Sequence, residues 1–183
     1  MRFLLHDLQQ EPIEFSQDFA PGAIAYGDEV KAIAPLTVTG RADLVEEHHG
    51  PHEVISDIRV RGKYAGKFEL PCARCVEPVE QELHGEFDLL YRPTGLPFDS
   101  AEHSISTSET EIGYYQGDGL DLEDVLREQV LLTLPARVLC SSGCKGLCPH
   151  CGLNLNHGSC ACEAAAPDPR WNALAELRDR VKH

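Results

Sequence analysis

The eight cysteines of this 183-residue chain fall into three groups, with none left over. The groups are Cys72-Ala-Arg-Cys75; then Cys140, Cys144, Cys148 and Cys151; then Cys160-Ala-Cys162. A CxxC pair can turn both sulfurs toward one tetrahedral centre, and two pairs make a closed four-cysteine site typical of structural zinc. One CxxC pair is a weak signal, but eight cysteines gathered in this way favour metal binding.

The spacing of the later cysteines favours a local site made by Cys148, Cys151, Cys160 and Cys162. The intervening segment GLNLNHGS supplies the Gly and Asn residues needed to fold back over so short a span. The remaining four, Cys72, Cys75, Cys140 and Cys144, then form a long-range site that closes a loop of about 65 residues. Zinc binding, worth on the order of 10 kcal/mol, can offset the entropy lost in that closure. We therefore predict two Zn²⁺ ions, each held by four cysteines.

Other uses of the cysteines remain open. A thioredoxin-like redox pair needs its CxxC at a helix start, whereas Cys72 follows Pro71 and precedes a predicted strand. An iron–sulfur cluster can also use four cysteines. His150 or His157 could replace one cysteine of the local site. A catalytic zinc leaves one position to water, and here there are enough thiolates to close both sites. Since HExxH, GxSxG and phosphate-binding glycine loops are also missing from the sequence, we expect no enzymatic activity.

The formal net charge of -14 restricts the partners that the chain can attract. Binding to polyphosphate depends on Lys and Arg, so a chain this acidic is a poor general nucleic-acid binder and would attract basic partners such as ribosomal proteins. Four cations on one strand offer a modest RNA-facing strip, although an ordinary solvated strand face explains them as well: Arg59, Arg61, Lys63 and Lys67.

The sequence contains no apolar run near the roughly 18 residues needed to cross a bilayer. The apolar run at the start is also too short for a signal-peptide core. We therefore expect a cytoplasmic protein without a membrane partner or a small-molecule substrate. Thiols stay reduced in the cytoplasm, which again favours metal ligation over disulfides.

The first part of the chain is typical of β-structure, because short runs of alternating apolar residues are separated by turn residues. In the second run, Ile58 and Val60 point to one face and Arg59 to the other. Ala65-Gly66 is expected to form a turn. The predicted strands cover residues 36–45, 53–64, 67–70 and 79–91.

Two helices are predicted in the second half of the chain. The first begins after Asp121 as its N-cap and ends at Pro135, with Leu122, Val125, Leu126 and Val130 on one face. The second begins at Asp168. The expected fold is α+β: an antiparallel β-sheet or small barrel with a few helices and a C-terminal, cysteine-rich, zinc-ribbon-like segment. Residues 1–139 would form the β-rich domain with one late helix, and residues 140–183 the zinc segment with its helix.

Four stretches, taken in order, resemble the bacterial YceD family across roughly residues 30–180. They are FELPCARCVEPVEQ, LEDVLREQVLLTLP, LCSSGCKGLCPHCGLNLNHGSCAC and DPRWNALAEL. The resemblance carries over onto Cys72, Cys75 and residues 146–152. It implies a role in accumulation of 23S ribosomal RNA and assembly of the large subunit, with no established enzymatic activity.

Two functions follow as expectations. The first is a non-catalytic, zinc-stabilised factor that supports 23S rRNA accumulation by binding a basic large-subunit ribosomal protein or the rRNA itself. The alternative is a thiol- or zinc-responsive redox regulator, in which oxidation or zinc loss releases Cys72 and Cys75.

Overall fold

The computed structural model describes residues 1–48, 54–95 and 112–162. Strands dominate these residues, as predicted, and two helices accompany them. The elements are β1 Arg2–Leu4, α1 Leu5–Leu8, β2 Ile13–Phe19, β3 Lys31–Ala32, β4 Leu36–His48, β5 Val54–Pro71, β6 Pro78–Pro93, β7 Ile112–Tyr115, β8 Gly119–Asp121 and α2 Leu122–Thr133.

Six of the described strands form one open sheet in the order β2-β4-β5-β6-β7, with β3 also pairing to β5. All neighbours are antiparallel except β6 and β7, which run parallel. The short strands β1 and β8 form a separate antiparallel pair. Since β2 and β7 stand at opposite edges of the larger sheet, the expectation of an antiparallel sheet is confirmed and its alternative, a small barrel, is not found among these strands.

Strand β5 runs without interruption for 18 residues, so the turn predicted at Ala65-Gly66 is wrong. Ala65 pairs with Thr37 and Gly66 with Leu83, which keeps both residues in the ladder. Packing explains the glycine: a Cβ on Gly66 would lie 2.9 Å from Cδ1 of Leu36, too close for an ordinary contact. A glycine inside a strand can mark close approach of a neighbour as well as a turn.

The hydrophobic core lies on one face of the larger sheet. On β5 the side chains of Ile58 and Val60 are fully buried there, as the alternation predicts. Helix α2 covers the same face, and the Tyr64 hydroxyl donates a hydrogen bond to the carbonyl of Gln129 at 3.0 Å. The buried side chains of α2 are the four predicted from its periodicity: Leu122, Val125, Leu126 and Val130.

The start of α2 is held differently from the prediction. Asp121 occupies the N-cap position, but its side chain makes no capping hydrogen bond. Instead the backbone N–H of Leu122 donates to the carbonyl of Met1 at 2.9 Å, and the N-terminal ammonium contacts Glu123. The helix ends at Thr133, just before Pro135, as expected.

The opposite face of the sheet carries the cationic strip, and each of its cations is paired with a carboxylate on a neighbouring strand. Exposed pairs of this kind contribute little stability. They do, however, neutralise the positive charge that the strip would need to bind RNA phosphates. The structure therefore favours the solvated strand face over the RNA-facing strip. The pairs, with N–O distances of 2.5 to 2.7 Å, are Arg59–Asp88, Arg61–Asp43, Lys63–Glu86 and Lys67–Glu80.

The helix expected from Asp168 lies outside the described residues, and the division of the chain at residue 140 stays a prediction. Among the helices that the structure describes, none has both the length and the apolar character needed to cross a bilayer.

A buried ion pair near the edge of the sheet gives a test of the fold. Arg92 donates two hydrogen bonds to Asp57, at 3.1 and 2.8 Å, and their side chains are only 8% and 1% exposed. Removing one partner of a buried pair leaves the other charge poorly solvated. We expect Asp57→Ala to lower the free energy of unfolding by about 3–5 kcal/mol in urea denaturation.

The matched control is Asp88→Ala, which breaks the exposed Arg59–Asp88 pair. Its expected cost is under about 1 kcal/mol. Equal effects of the two substitutions would contradict the burial that distinguishes the pairs.

Candidate metal centres

The structure brings the eight cysteines together as two quartets. In each quartet the four sulfur atoms lie within 4.8 Å of one another. We call the set Cys72, Cys75, Cys140 and Cys144 the hairpin quartet, and the set Cys148, Cys151, Cys160 and Cys162 the terminal quartet. All eight are free cysteines, without disulfides. These are the two groups that the spacing favours.

The sulfur separations in the hairpin quartet fit a single tetrahedral ion. A tetrahedron with metal–sulfur bonds of about 2.3 Å has edges of about 3.8 Å. The Cys72 and Cys144 sulfurs are 3.8 Å apart, and those of Cys75 and Cys140 are 3.5 Å apart. Both separations are far longer than a disulfide bond. The arrangement can therefore hold one metal ion between four thiolates.

The first CxxC loop lies at the tip of the β5–β6 hairpin. The Cys72 N–H donates to the Glu77 carbonyl at 2.8 Å, and the Val76 N–H donates to the Cys72 carbonyl at 2.9 Å. These two bonds fold the chain back on itself directly after the ladder ends at Pro71 and Pro78. The loop therefore connects two strands and does not begin a helix. A thioredoxin-like redox pair needs its CxxC at a helix start, so this position does not favour one.

The second CxxC loop repeats this backbone pattern. The Cys148 N–H donates to the Leu153 carbonyl at 2.8 Å, and the Gly152 N–H donates to the Cys148 carbonyl at 2.9 Å. Gly152 has a φ of 73°, the left-handed conformation that glycine adopts without strain. The two loops are thus the same local structure built from different sequences.

Backbone contacts attach the hairpin tip to the segment that follows α2. The Ala73 N–H donates to the Val138 carbonyl at 2.8 Å, and the Leu147 N–H donates to the Arg74 carbonyl at 3.1 Å. The Arg74 guanidinium donates to the Cys144 carbonyl at 2.7 Å. Cysteines 65 or more residues apart in the chain therefore meet through hydrogen bonds as well as through their sulfurs.

Local hydrogen bonds prepare the first cysteine of each loop as a thiolate. The backbone N–H groups of Arg74 and Cys75 lower the pKa of Cys72 to about 6. Those of Cys151 and His150 lower the pKa of Cys148 to about 6 in the same way. Burial, by contrast, raises the pKa of Cys75 to about 12. A bound dication supplies the charge that lets such a buried thiol deprotonate.

The two quartets differ in exposure. In the hairpin quartet Cys72, Cys75 and Cys144 are at most 4% exposed, and they pack with Val79 and Leu139 in a small apolar cluster of their own. In the terminal quartet Cys148 alone is buried, while Cys151 and Cys162 are exposed. An ion in the first would be shielded, and an ion in the second would be close to solvent.

Residues of the terminal loop also support the hairpin quartet. The Asn156 side-chain amide donates to the Cys144 sulfur at 3.3 Å and accepts from the Lys145 N–H at 2.8 Å. The His157 ring contacts the Glu77 carboxylate. Neither quartet includes a histidine among the described residues, so the alternative that His150 or His157 replaces a cysteine gains no support. Spacing alone gave no sign of Asn156 or Glu77, since their contacts exist only after folding.

The family model described as large ribosomal RNA subunit accumulation protein YceD matches residues 60–178. The chain belongs to the YceD family. The match takes in both CxxC loops and helix α2, and it confirms the resemblance expected from the sequence.

Relatives of this YceD chain come from bacteria and from plants. An uncharacterized protein of Mycobacterium tuberculosis is 33% identical over 131 residues, which cover 68% of this chain but only 57% of the relative. YlbN of Bacillus subtilis is 23% identical over 177 residues, covering 96% of this chain and 93% of YlbN. The large ribosomal RNA subunit accumulation protein YCED homolog 1, chloroplastic, of Arabidopsis thaliana is 33% identical over 63 residues, 34% of this chain and 20% of the relative. No solved structure matches the chain.

The Asn156 contact predicts a change in thiol titration. The amide of Asn156 is the main cause that lowers the pKa of Cys144. We expect Asn156→Ala to raise the pKa of Cys144, so that protons displace zinc from the hairpin quartet at a higher pH; the measurement is the pH midpoint of zinc release from the zinc-loaded protein, followed with a chromogenic chelator. The control His150→Ala changes an exposed side chain and keeps the backbone donors, so it should leave this midpoint unchanged. The same midpoint in Asn156→Ala and wild type would contradict the contact.

Proposed function

We propose that this chain is a non-catalytic, zinc-stabilised cytoplasmic factor that supports 23S rRNA accumulation and assembly of the large ribosomal subunit. The carrying observation is the family match, because members are described as large ribosomal RNA subunit accumulation proteins. Relatives in Arabidopsis thaliana and Zea mays carry that description in their names. The two cysteine quartets supply the physical basis for the zinc dependence.

Zinc is the ion that these quartets fit best. Four thiolates in tetrahedral array are typical of structural zinc, whereas a polynuclear iron–sulfur cluster places several metal atoms between its thiolates and holds them farther apart. In the hairpin quartet all four sulfurs lie within 4.8 Å. An ion bound by four cysteines has no coordination position left for water, which supports a structural role over a catalytic one.

The surface supports a basic protein as the direct partner, in preference to RNA. The chain has a formal net charge of -14, and two thiolate-closed zinc sites would make it more acidic still. The four cations of the strip on the outer sheet face are already paired with carboxylates. Long-range attraction therefore favours a cationic partner such as a ribosomal protein.

A thiol- or zinc-responsive regulator is the second candidate. The exposure of Cys151 and Cys162 favours it, because oxidants reach exposed thiolates first. The burial of Cys72, Cys75 and Cys144 opposes it for the hairpin quartet. Rapid zinc release with disulfide formation under mild peroxide would support the regulator, and slow reaction only after chelation would support the structural role.

Substitution of single ligands should separate the two sites. We expect Cys72→Ser and Cys162→Ser each to lower the zinc content, measured by elemental analysis, from two ions per chain toward one. Because the hairpin quartet joins distant segments, Cys72→Ser should lower the free energy of unfolding by at least about 3 kcal/mol. Cys162→Ser, in an exposed local loop, should cost much less. Unchanged zinc content in both variants would contradict the ligand assignment.

The cellular role has its own test. Cells that lack this chain, or carry Cys72→Ser together with Cys75→Ser, should accumulate less 23S than 16S rRNA, measured on denaturing gels and by sequencing. Asp88→Ala should behave as wild type. Affinity capture with and without nuclease then separates a protein partner, which survives the nuclease, from RNA-mediated association. A normal ratio of 23S to 16S rRNA in cells without the protein would rule out the proposed function.

A further inference from the structure

The residue that follows the first CxxC loop is a valine in the left-handed conformation. Val76 has a φ of 63° and is the only non-glycine residue with positive φ in the described part of the chain. A β-branched side chain at this φ is a conformational outlier, because its Cβ crowds the backbone. The Val76 side chain is also 63% exposed, so burial in the core does not offset the strain.

The second loop meets the same backbone requirement without strain. Gly152 occupies the position that Val76 has in the first loop, with a φ of 73° and the same hydrogen bond back to the first cysteine. A glycine at position 76 would therefore serve the metal centre at lower conformational cost. Backbone strain kept at an exposed side chain, where a glycine would serve the loop as well, points to a binding role.

Val76 lies in the wall of a groove of about 350 Å³ beside the hairpin tip. The groove runs between the end of the β5–β6 ladder and the segment that leads into β3. Its apolar part is formed by Leu70, Pro71, Val76 and Pro78. Its charged part is formed by Asp28, Glu29, Lys31 and Glu69.

The charged residues of this groove do not neutralise one another as those of the outer strip do. Three carboxylates face one ammonium, and within residues 1–48, 54–95 and 112–162 none of the four takes part in an ion pair. Glu69 stands opposite Lys31 on β3 and opposite Glu80 on β6, so Lys31 offsets one of the three carboxylates and the groove keeps a net negative charge. The groove thus combines an apolar wall with free negative charge.

We propose that this groove is the docking site for a short basic protein segment that places one apolar side chain against Val76. Charge complementarity selects a cationic partner, and a volume of about 350 Å³ suits a few side chains of an extended segment. The inference rests on the proposed function, since it identifies the surface through which a basic ribosomal protein would be held.

The test measures binding and stability together on the zinc-loaded full chain. The probe is a fluorescein-labelled synthetic peptide with four lysines around a central leucine, and fluorescence anisotropy gives its affinity. We expect Val76→Asn, which tolerates the left-handed conformation, to weaken binding about tenfold. Val76→Leu should retain binding. The matched control Val54→Asn, at a 50% exposed valine far along β5, should bind as wild type.

Val76→Gly separates a binding role from a structural one. This substitution relieves the strain and should raise Tm by about 2–4 °C. It also removes the side chain, so it should lower the affinity for the peptide as Val76→Asn does. Binding should also weaken when the peptide's leucine becomes serine, and it should be lost when its lysines become glutamates.

Four results of the binding measurements would overturn the docking proposal. They are unchanged affinity in Val76→Asn, equal binding of the serine peptide, tighter peptide binding after removal of residues 163–183, and a labelled 12-nucleotide RNA that outcompetes the peptide at this groove. The third would show that the chain's own end is the occupant.

The cellular readout keeps this proposal distinct from the function itself. If Val76→Asn cells keep normal 23S rRNA while Cys72→Ser cells lose it, the groove proposal fails and the function stands. If even the deletion strain has normal 23S rRNA, the function fails, and the peptide affinities alone decide whether the groove binds basic segments.

Discussion

The meeting of the β5–β6 hairpin tip with the segment after α2 determines the arrangement of this protein. Cys75 and Cys140 are 65 residues apart in the chain, yet their sulfurs lie 3.5 Å from each other. Closing so long a loop costs entropy, and four thiolates brought together without a cation repel one another once they ionise. Hydrogen bonds of Arg74 with Cys144 and Leu147 align the segments, and a metal ion bound by the four thiolates would make their convergence favourable.

From this junction the two quartets take different physical roles. Three cysteines of the hairpin quartet are buried beside Val79 and Leu139, and the fourth, Cys140, is exposed. The terminal quartet is more exposed, but its loop reaches back so that Asn156 contacts the Cys144 sulfur. A hydrogen bond therefore joins the loop of the terminal quartet to a cysteine of the hairpin quartet. The ion-paired outer face of the sheet is not part of this contact. The hairpin tip is the place where backbone strain, an exposed side chain and net negative charge occur together.

The cysteine quartets and the buried face of α2 could be predicted from the sequence, because both depend on residue type and on short spacings. Cysteine spacing separated the two quartets, and apolar periodicity gave the buried face of α2. Gly66 was misleading, since a glycine that allows close packing and one that allows a turn look identical in sequence. The partners of Arg59 and Arg61, the contact of Asn156 and the left-handed conformation of Val76 depend on which strands and loops become neighbours. No sequence pattern encodes those directly.

The most direct test of the central claim is X-ray absorption spectroscopy at the zinc edge on the freshly purified protein, combined with its metal content. We expect two zinc ions per chain, each with four sulfur neighbours at about 2.3 Å and no nitrogen or oxygen in the first coordination sphere. A folded protein without transition metal, or a spectrum with mixed nitrogen and sulfur ligands at both sites, would contradict it.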